Sequence, residues 1–202
     1  FFSVVRMSGY DEEVSLEMLT RAKVPMTKEE VRWMSVARLG VQPGDTVWDV
    51  GAGTGAVTFE LARKAMDGAV FAVERNTEAI ELIAQNRQKL GGFNVHIVQG
   101  HAPEVLADLP KPNCVFVGGS GGNMREIIEA ALMKNPKARI TVNAIALETL
   151  QETQRLFAEF GLQQVEITQL SAARGKSIGC YTMMTANNPV FILSGKGAKY
   201  GE

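Results

Sequence analysis

Cysteine is scarce: Cys114 and Cys180 are the only two in 202 residues, and they form no CxxC pair. A disulfide scaffold is thereby excluded, and a reduced, cytoplasmic setting is expected. Histidine is equally rare, with only His96 and His101, so no metal-binding cluster is expected. No apolar run approaches the roughly 18 residues needed to cross a bilayer. The opening Phe1-Phe2-Ser3-Val4-Val5-Arg6 lacks the basic start and small-residue cleavage site of a signal peptide. It also lacks a methionine, which is the start expected of a processed chain or a piece of a longer one. Charge of one sign is missing too: 21 Lys+Arg against 22 Asp+Glu leave a net charge of -1. A surface that lives on nucleic-acid phosphates needs a basic excess, so no nucleic-acid partner is expected.

What is present is ordinary globular material, 46% hydrophobic and 21% charged, which excludes disordered and fibrous classes. The length fits one domain with a single substantial core. Residues 1–25 have no strong periodicity and read as a linker or flap ahead of a domain at 26–202. From residue 46 onward, β-rich runs alternate with helical patterns, the mark of an α/β fold with a parallel sheet and helices on both faces. Strands are expected at 46–50, 69–74, 94–98, 114–118 and 139–143, and helices at 56–66, 77–90, 124–134 and 146–160. Three later runs, 165–170, 180–186 and 190–194, have no helix between them. They predict an antiparallel hairpin closing one sheet edge. Ahead of the sheet, Thr27-Lys28-Glu29-Glu30 reads as a capping box. It opens a helix with Val31, Met34 and Ala37 on one face, ended by Gly40.

The most informative stretch is Asp49-Val50-Gly51-Ala52-Gly53-Thr54-Gly55-Ala56, a strand running through alternating glycines into a helix. Glycines serve where backbone turns tightly or a ligand must approach without meeting a Cβ. The helix start behind them offers free N–H groups and a positive dipole end. Glu74 ends the next strand, about 20 residues on, where a carboxylate can take both hydroxyls of a ribose. The pair predicts an adenosine-bearing cofactor at the carboxyl edge of the sheet. Gly51-x-Gly53-x-x-Ala56 satisfies the dinucleotide fingerprint, so NAD fits the spacing. S-adenosylmethionine fits as well, because Asp49 would then lie near a sulfonium and an ammonium. The hairpin-ended topology and the lack of a second substrate domain favour the latter.

Asp-Val-Gly-Ala-Gly-Thr-Gly resembles motif I of the class I S-adenosylmethionine-dependent methyltransferases. A narrower resemblance runs over roughly residues 20–195. It is carried by Val24-Pro25-Met26-Thr27-Lys28-Glu29-Glu30-Val31-Arg32, Ala72-Val73-Glu74-Arg75-Asn76 and Ala102-Pro103-Glu104. Val115-Phe116-Val117-Gly118-Gly119-Ser120-Gly121-Gly122 and Val142-Asn143-Ala144 continue it. These segments are similar to the precorrin methyltransferase/decarboxylase family of cobalamin biosynthesis, which methylates carbon 15 of the tetrapyrrole and decarboxylates the acetate on carbon 12. The resemblance implies a Rossmann-like class I methyltransferase fold, with a mostly parallel seven-stranded sheet and a C-terminal antiparallel hairpin. S-adenosylmethionine would be held by Asp49, Gly51, Ala52, Gly53, Thr54 and Gly55. Thr27 would close over its methionine end, Glu74 would take the ribose, and the Ala102 backbone would meet the adenine. The family also implies a polycarboxylate tetrapyrrole substrate, a homo-oligomer such as a tetramer, and a fused or associated carbon 5 methyltransferase. No membrane partner is implied.

The fourth strand leads into Gly118-Gly119-Ser120-Gly121-Gly122 rather than the Asn/Asp-Pro-Pro-Tyr of many amino-group methyltransferases. Such a loop is expected to offer exposed N–H groups as an anion nest for substrate carboxylates. Arg32, Arg125, Arg174 and Lys176 are candidate carboxylate partners, with Arg174 and Lys176 ranked first because they lie between late strands. His101 is expected to stack or pack near the adenine edge. Asn143 is either a satisfied core amide or a pocket residue, and Met183-Met184 are expected as core filler. No residue stands out as a general acid or base.

Overall fold

The structure, a computed structural model, describes residues 27–198. The flap expected over residues 1–25 lies outside the described residues. Among the described residues, nine strands and five α-helices follow in order: α1 (Glu29–Leu39), β1 (Thr46–Val50), α2 (Ala56–Lys64), β2 (Ala69–Glu74), α3 (Thr77–Leu90), β3 (Val95–Gln99), β4 (Cys114–Val117), α4 (Met124–Lys134), β5 (Arg139–Ala144), α5 (Leu147–Glu159), β6 (Gln163–Leu170), β7 (Ala173–Ile178), β8 (Tyr181–Ala186) and β9 (Val190–Lys196). A short 3₁₀ turn covers Glu104–Asp108.

Seven strands form one sheet in the order β3-β2-β1-β4-β5-β9-β6. The first five run parallel, and β9 enters antiparallel between β5 and β6. Side chains alternate across the pleat, so each central strand feeds two cores. Val47, Cys114 and Phe116 pack with α1, α2 and α3 on one face. Trp48, Val50, Val115 and Val117 pack with α4 and α5 on the other. Burial on both faces is why β1 and β4 read as continuous apolar runs rather than alternating ones.

The helix starts and stops are largely local. Asn76 caps α3, its side chain accepting from the N–H groups of Glu78 (2.8 Å) and Ala79 (3.3 Å). Gly40 ends α1 in the left-handed conformation, as expected from the sequence. The start of α1 differs from the expected capping box: Lys28 is the cap residue, and no side chain caps the helix. Its Glu30 carboxylate is drawn instead to Arg174 on β7. The buried face of α1 is Val31, Arg32, Ser35, Val36 and Leu39, while Ala37 is exposed. Arg32 can be buried because its Nε donates to Glu60 on α2 at 3.2 Å.

The late strands also differ from expectation. The edge hairpin is made by β6 and β9. Residues 181–186 do not join the sheet; they pair with β7 in a separate two-stranded ribbon inserted between β6 and β9. Strand β7 was not foreseen, because Ala-Arg-Gly-Lys-Ser-Ile has a single β-branched residue and an interior glycine. Met183 and Met184 stand on this ribbon 56% and 67% exposed, with Ile178 and Tyr181 beside them, and are not core filler.

Candidate cofactor and active site

β1 has β2 on one side and β4 on the other, so the chain winds outward in both directions from it. Such a switch point leaves a crevice at the carboxyl ends of the strands. A cavity of about 870 Å³ lies there, within the range that takes a nucleoside-sized ligand. Its wall includes Thr27, Asp49, Gly51, Ala52, Gly53, Thr54, Glu74, Ala102, and Gly118, Gly119, Ser120 and Gly121. Residues from five loops, scattered between 27 and 121, are thus brought together.

The glycines of the first loop are required mainly by the protein itself. Gly51 has φ +75°, and a Cβ there would stand 2.6 Å from the Gly119 carbonyl oxygen. Gly55 has φ +80° and precedes α2, and its Cβ would meet Phe59 at 2.8 Å. Gly55 does not line the cavity; it lies behind the wall against α2 and α3. The amides of Gly51 and Ala52 both donate to the Val73 carbonyl, that of Gly55 to Ala52, and that of Gly53 to Glu74. Four of the five loop N–H groups are therefore spent internally. A pyrophosphate needs those donors, so this geometry counts against a dinucleotide.

The Glu74 side chain is fixed in place by three N–H groups. Its Oε2 accepts from Gly53 N–H at 2.9 Å, and its Oε1 accepts from the N–H groups of Arg75 (2.8 Å) and Asn76 (2.9 Å). A carboxylate has about four acceptor directions, which leaves capacity for hydroxyl donors from the cavity side. Asp49 is the second carboxylate and is fully buried. Its Oδ2 accepts from the Thr58 hydroxyl at 2.5 Å, while its Oδ1 has no hydrogen-bond partner. Burial, partly offset by the Thr58 hydrogen bond and reinforced by Glu74, pushes its pKa up to about 7. Thr54 Oγ1 is likewise buried and unpartnered. Buried oxygens without a protein partner on a cavity wall are acceptors open to a ligand. A cation beside Asp49 would restore its charge, which fits the ammonium and sulfonium of S-adenosylmethionine and repels a pyrophosphate.

The other predicted residues divide. Ala102 lines the cavity, and its carbonyl accepts from Asn123 Nδ2 at 2.9 Å. His101 is exposed on the cavity wall, and His96 stacks on Phe71 with centroids 4.8 Å apart. Asn143 is both things expected of it: its Oδ1 accepts from Ser35 Oγ at 2.9 Å, and it lines the cavity. The loop after β4 is a poorer anion nest than its composition implied. Gly118 and Gly119 donate to Val50 O, and Gly122 donates to Ser120 Oγ. Gly122 does not line the cavity.

The four candidate cations are placed elsewhere. Arg32 is buried against Glu60, and Arg125 makes a fork to both oxygens of Glu159 (2.7 and 2.5 Å). Arg174 is held by Glu29 (2.9 Å) and Glu30 (2.6 Å). Those carboxylates start α1, so the ribbon is tied to the cavity rim, but Arg174 and Lys176 do not line the cavity. Sequence reasoning missed the side chains that do: Lys28, Arg75, Asn187 and Asn188 among them. Asn187-Asn188-Pro189 is a turn signal that could have marked the rim.

Comparison with known proteins agrees with this geometry. The family model of the precorrin methyltransferase domain matches residues 20–196. A probable cobalt-precorrin-6B C(15)-methyltransferase (decarboxylating) from Pyrobaculum calidifontis is 42% identical over 88% of this chain and 92% of its own. The crystal structure of a precorrin-6y C5,15-methyltransferase from Geobacter metallireducens superposes with a TM-score of 0.83 at 35% identity, over 89% of this chain and 95% of that one. That of precorrin 8W decarboxylase from Methanobacterium thermoautotrophicum gives 0.82 at 39% identity, over 90% and 98%. With a class I methyltransferase sheet, a glycine loop facing Glu74, and a match along nearly its whole described length, the chain belongs to the precorrin methyltransferase family.

Proposed function

We propose that this protein methylates carbon 15 of a precorrin and decarboxylates the acetate on its carbon 12, using S-adenosylmethionine, in cobalamin biosynthesis. The observation that carries the cofactor part is the pair of carboxylates on one cavity: Asp49 with an unpartnered buried oxygen, and Glu74 pinned by three N–H groups. The acceptor and the decarboxylation are supported by membership of the family and by a relative, 42% identical, that bears that activity in its name.

Residues of this chain supply position rather than strong acid–base chemistry. Glu74 would hold the ribose, the 51–54 backbone and Asp49 the amino-acid end together with Thr27, and the Ala102 segment the adenine. When bound, S-adenosylmethionine supplies an electrophilic methyl group. The protein aligns the acceptor carbon with it, and such alignment alone is worth an effective molarity of about 10⁵ M or more. An electron-rich tetrapyrrole carbon needs no strong base. For the loss of carbon dioxide, the macrocycle takes the electron pair, and the protein binds the remaining carboxylates and dries the departing one. The Gly118–Gly121 loop forms the acceptor side of the cavity.

Two further features belong to this reading. The exposed apolar ribbon of β7 and β8 supports a homo-oligomer, such as a tetramer, in which other copies cover it. A separate carbon 5 methyltransferase, fused or associated, would complete the two-site activity named for the Geobacter relative. The setting is the cytoplasm, where the polycarboxylate pathway and a reduced Cys114 and Cys180 are at home. Isotope-labelled methyl from S-adenosylmethionine should pass to cobalt-precorrin-6B and not to bulk tRNA. Label on tRNA, with none on the tetrapyrrole, would overturn the assignment.

A further inference from the structure

A polycarboxylate acceptor needs cations at the cavity, and the arrangement of the molecule removes the obvious ones. Arg32, Arg125 and Arg174 each spend their guanidinium on carboxylates of the protein itself. The loop after β4, which could have bound an anion through its amides, has turned three of its five N–H groups inward. Among the described residues, Lys28 and Arg75 are the two Lys or Arg side chains on the cavity wall.

Arg75 is the better placed of the two. It follows Glu74 directly at the carboxyl end of β2, and its own N–H is fixed by the Glu74 carboxylate at 2.8 Å. In the sheet, β1 stands between β2 and β4, so the Arg75 side chain must cross the 51–53 turn to reach the loop after β4. It does so: a Cβ on Gly121 would lie 3.4 Å from Arg75 Nη1 and 3.9 Å from its Cζ. The guanidinium therefore lies between the nucleoside anchor and the acceptor loop. Among the described residues it has no ion-pair partner, and it is exposed to solvent. Five donors in a planar fork are thus free at the acceptor side of the cavity.

We infer that Arg75 is the residue that receives a carboxylate of the acceptor and sets its orientation over the cofactor. The inference rests on the proposed tetrapyrrole reaction and deepens it. An exposed guanidinium–carboxylate pair is weak in water and strengthens when the acceptor itself covers it. Arg75 binds a carboxylate that stays on the product, so its contribution is the same before and during reaction and appears in KM rather than kcat.

The carboxylate could in principle come from the acceptor or from the amino-acid end of the cofactor, and the test separates them. Arg75→Gln and Arg75→Lys are compared with the unaltered protein for turnover of cobalt-precorrin-6B and for binding of S-adenosylhomocysteine and methylthioadenosine, which lacks the amino-acid carboxylate. Arg75→Gln should raise the acceptor KM about tenfold or more while kcat changes little. Its affinity for both nucleosides should stay within about twofold, and Arg75→Lys, which keeps charge without the fork, should fall between. Loss of S-adenosylhomocysteine affinity alone would make Arg75 a cofactor-carboxylate clamp, and loss of both nucleosides would make it an adenosine cover. Either result, or an unchanged acceptor KM, overturns the inference. If the unaltered protein binds S-adenosylhomocysteine but turns over no precorrin, the proposed reaction itself fails.

Discussion

Asp49 carries a proton in the free protein at a pH where an ordinary aspartate does not. Its carboxyl is buried and lies near Glu74, and only the Thr58 hydroxyl favours its ionised form, so its pKa rises from 3.8 to about 7. Ionisation is therefore harder in the folded chain than in the unfolded one. The stability this group contributes is complete below its ordinary value and is lost as pH rises through about 7. Asp49→Asn removes that loss. In urea unfolding without cofactor, the unaltered protein should lose stability relative to Asp49→Asn by up to about 1.4 kcal/mol per pH unit between these two values. A bound cation reverses the preference, so affinity for S-adenosylmethionine should climb with pH up to about 7 and be flatter in the variant. Parallel stability curves for the two proteins would refute the account of Asp49. That Asp49 stands on the cavity wall at the head of the glycine loop was legible from its place before the glycines; its depth was not, because burial depends on Thr58 and the helix laid over it.

At the level of elements, the five parallel strands and the helices α3 and α4 could be read closely from apolar runs and their spacing. Central strands are buried on both faces and announce themselves as Val47-Trp48 and Cys114-Val115-Phe116-Val117. What escaped was the part of the chain whose partners are distant. The capping box at Thr27 lost its Glu30 to Arg174, which is 144 residues away. Strand β7 is held by its pairing with β8 rather than by its own propensity. The arginine candidates likewise have distant partners: Arg32 meets Glu60 on α2, Arg125 meets Glu159 on α5, and Arg174 meets Glu29 and Glu30 at the start of α1. The ribbon itself carries a consequence. Ile178, Tyr181, Met183 and Met184 are each more than half exposed on a two-stranded element, which is rarely stable uncovered. Light scattering should give a mass of several chains for the unaltered protein. Tyr181→Ser combined with Met183→Glu should return a single chain in the same measurement, with a melting temperature lowered by the loss of assembly. A monomeric starting protein, or an assembly that survives both changes, would contradict the proposal.

For the molecule as a whole, the sheet order places everything at one edge. The switch at β1 opens the crevice, and β2 contributes Glu74 and Arg75 on one side of it. β4 delivers the Gly118–Gly121 loop on the other, and α1 and the β8–β9 connection close the rim with Thr27, Lys28, Asn187 and Asn188. In the proposed reaction, cofactor and acceptor would meet over the turn after β1, with Asp49 toward the cofactor's cationic end and the Arg75 guanidinium toward the acceptor's carboxylates. Such a division of charge suits a reaction that transfers a methyl cation equivalent to a polyanion and expels carbon dioxide. The most direct measurement is the mass of the tetrapyrrole recovered after this protein alone has acted on cobalt-precorrin-6B with S-adenosylmethionine. The account predicts a product that has gained one methyl group and lost one molecule of carbon dioxide. A recovered tetrapyrrole of unchanged mass would contradict it, and a methyl gain with the carboxyl retained would strike out the decarboxylation.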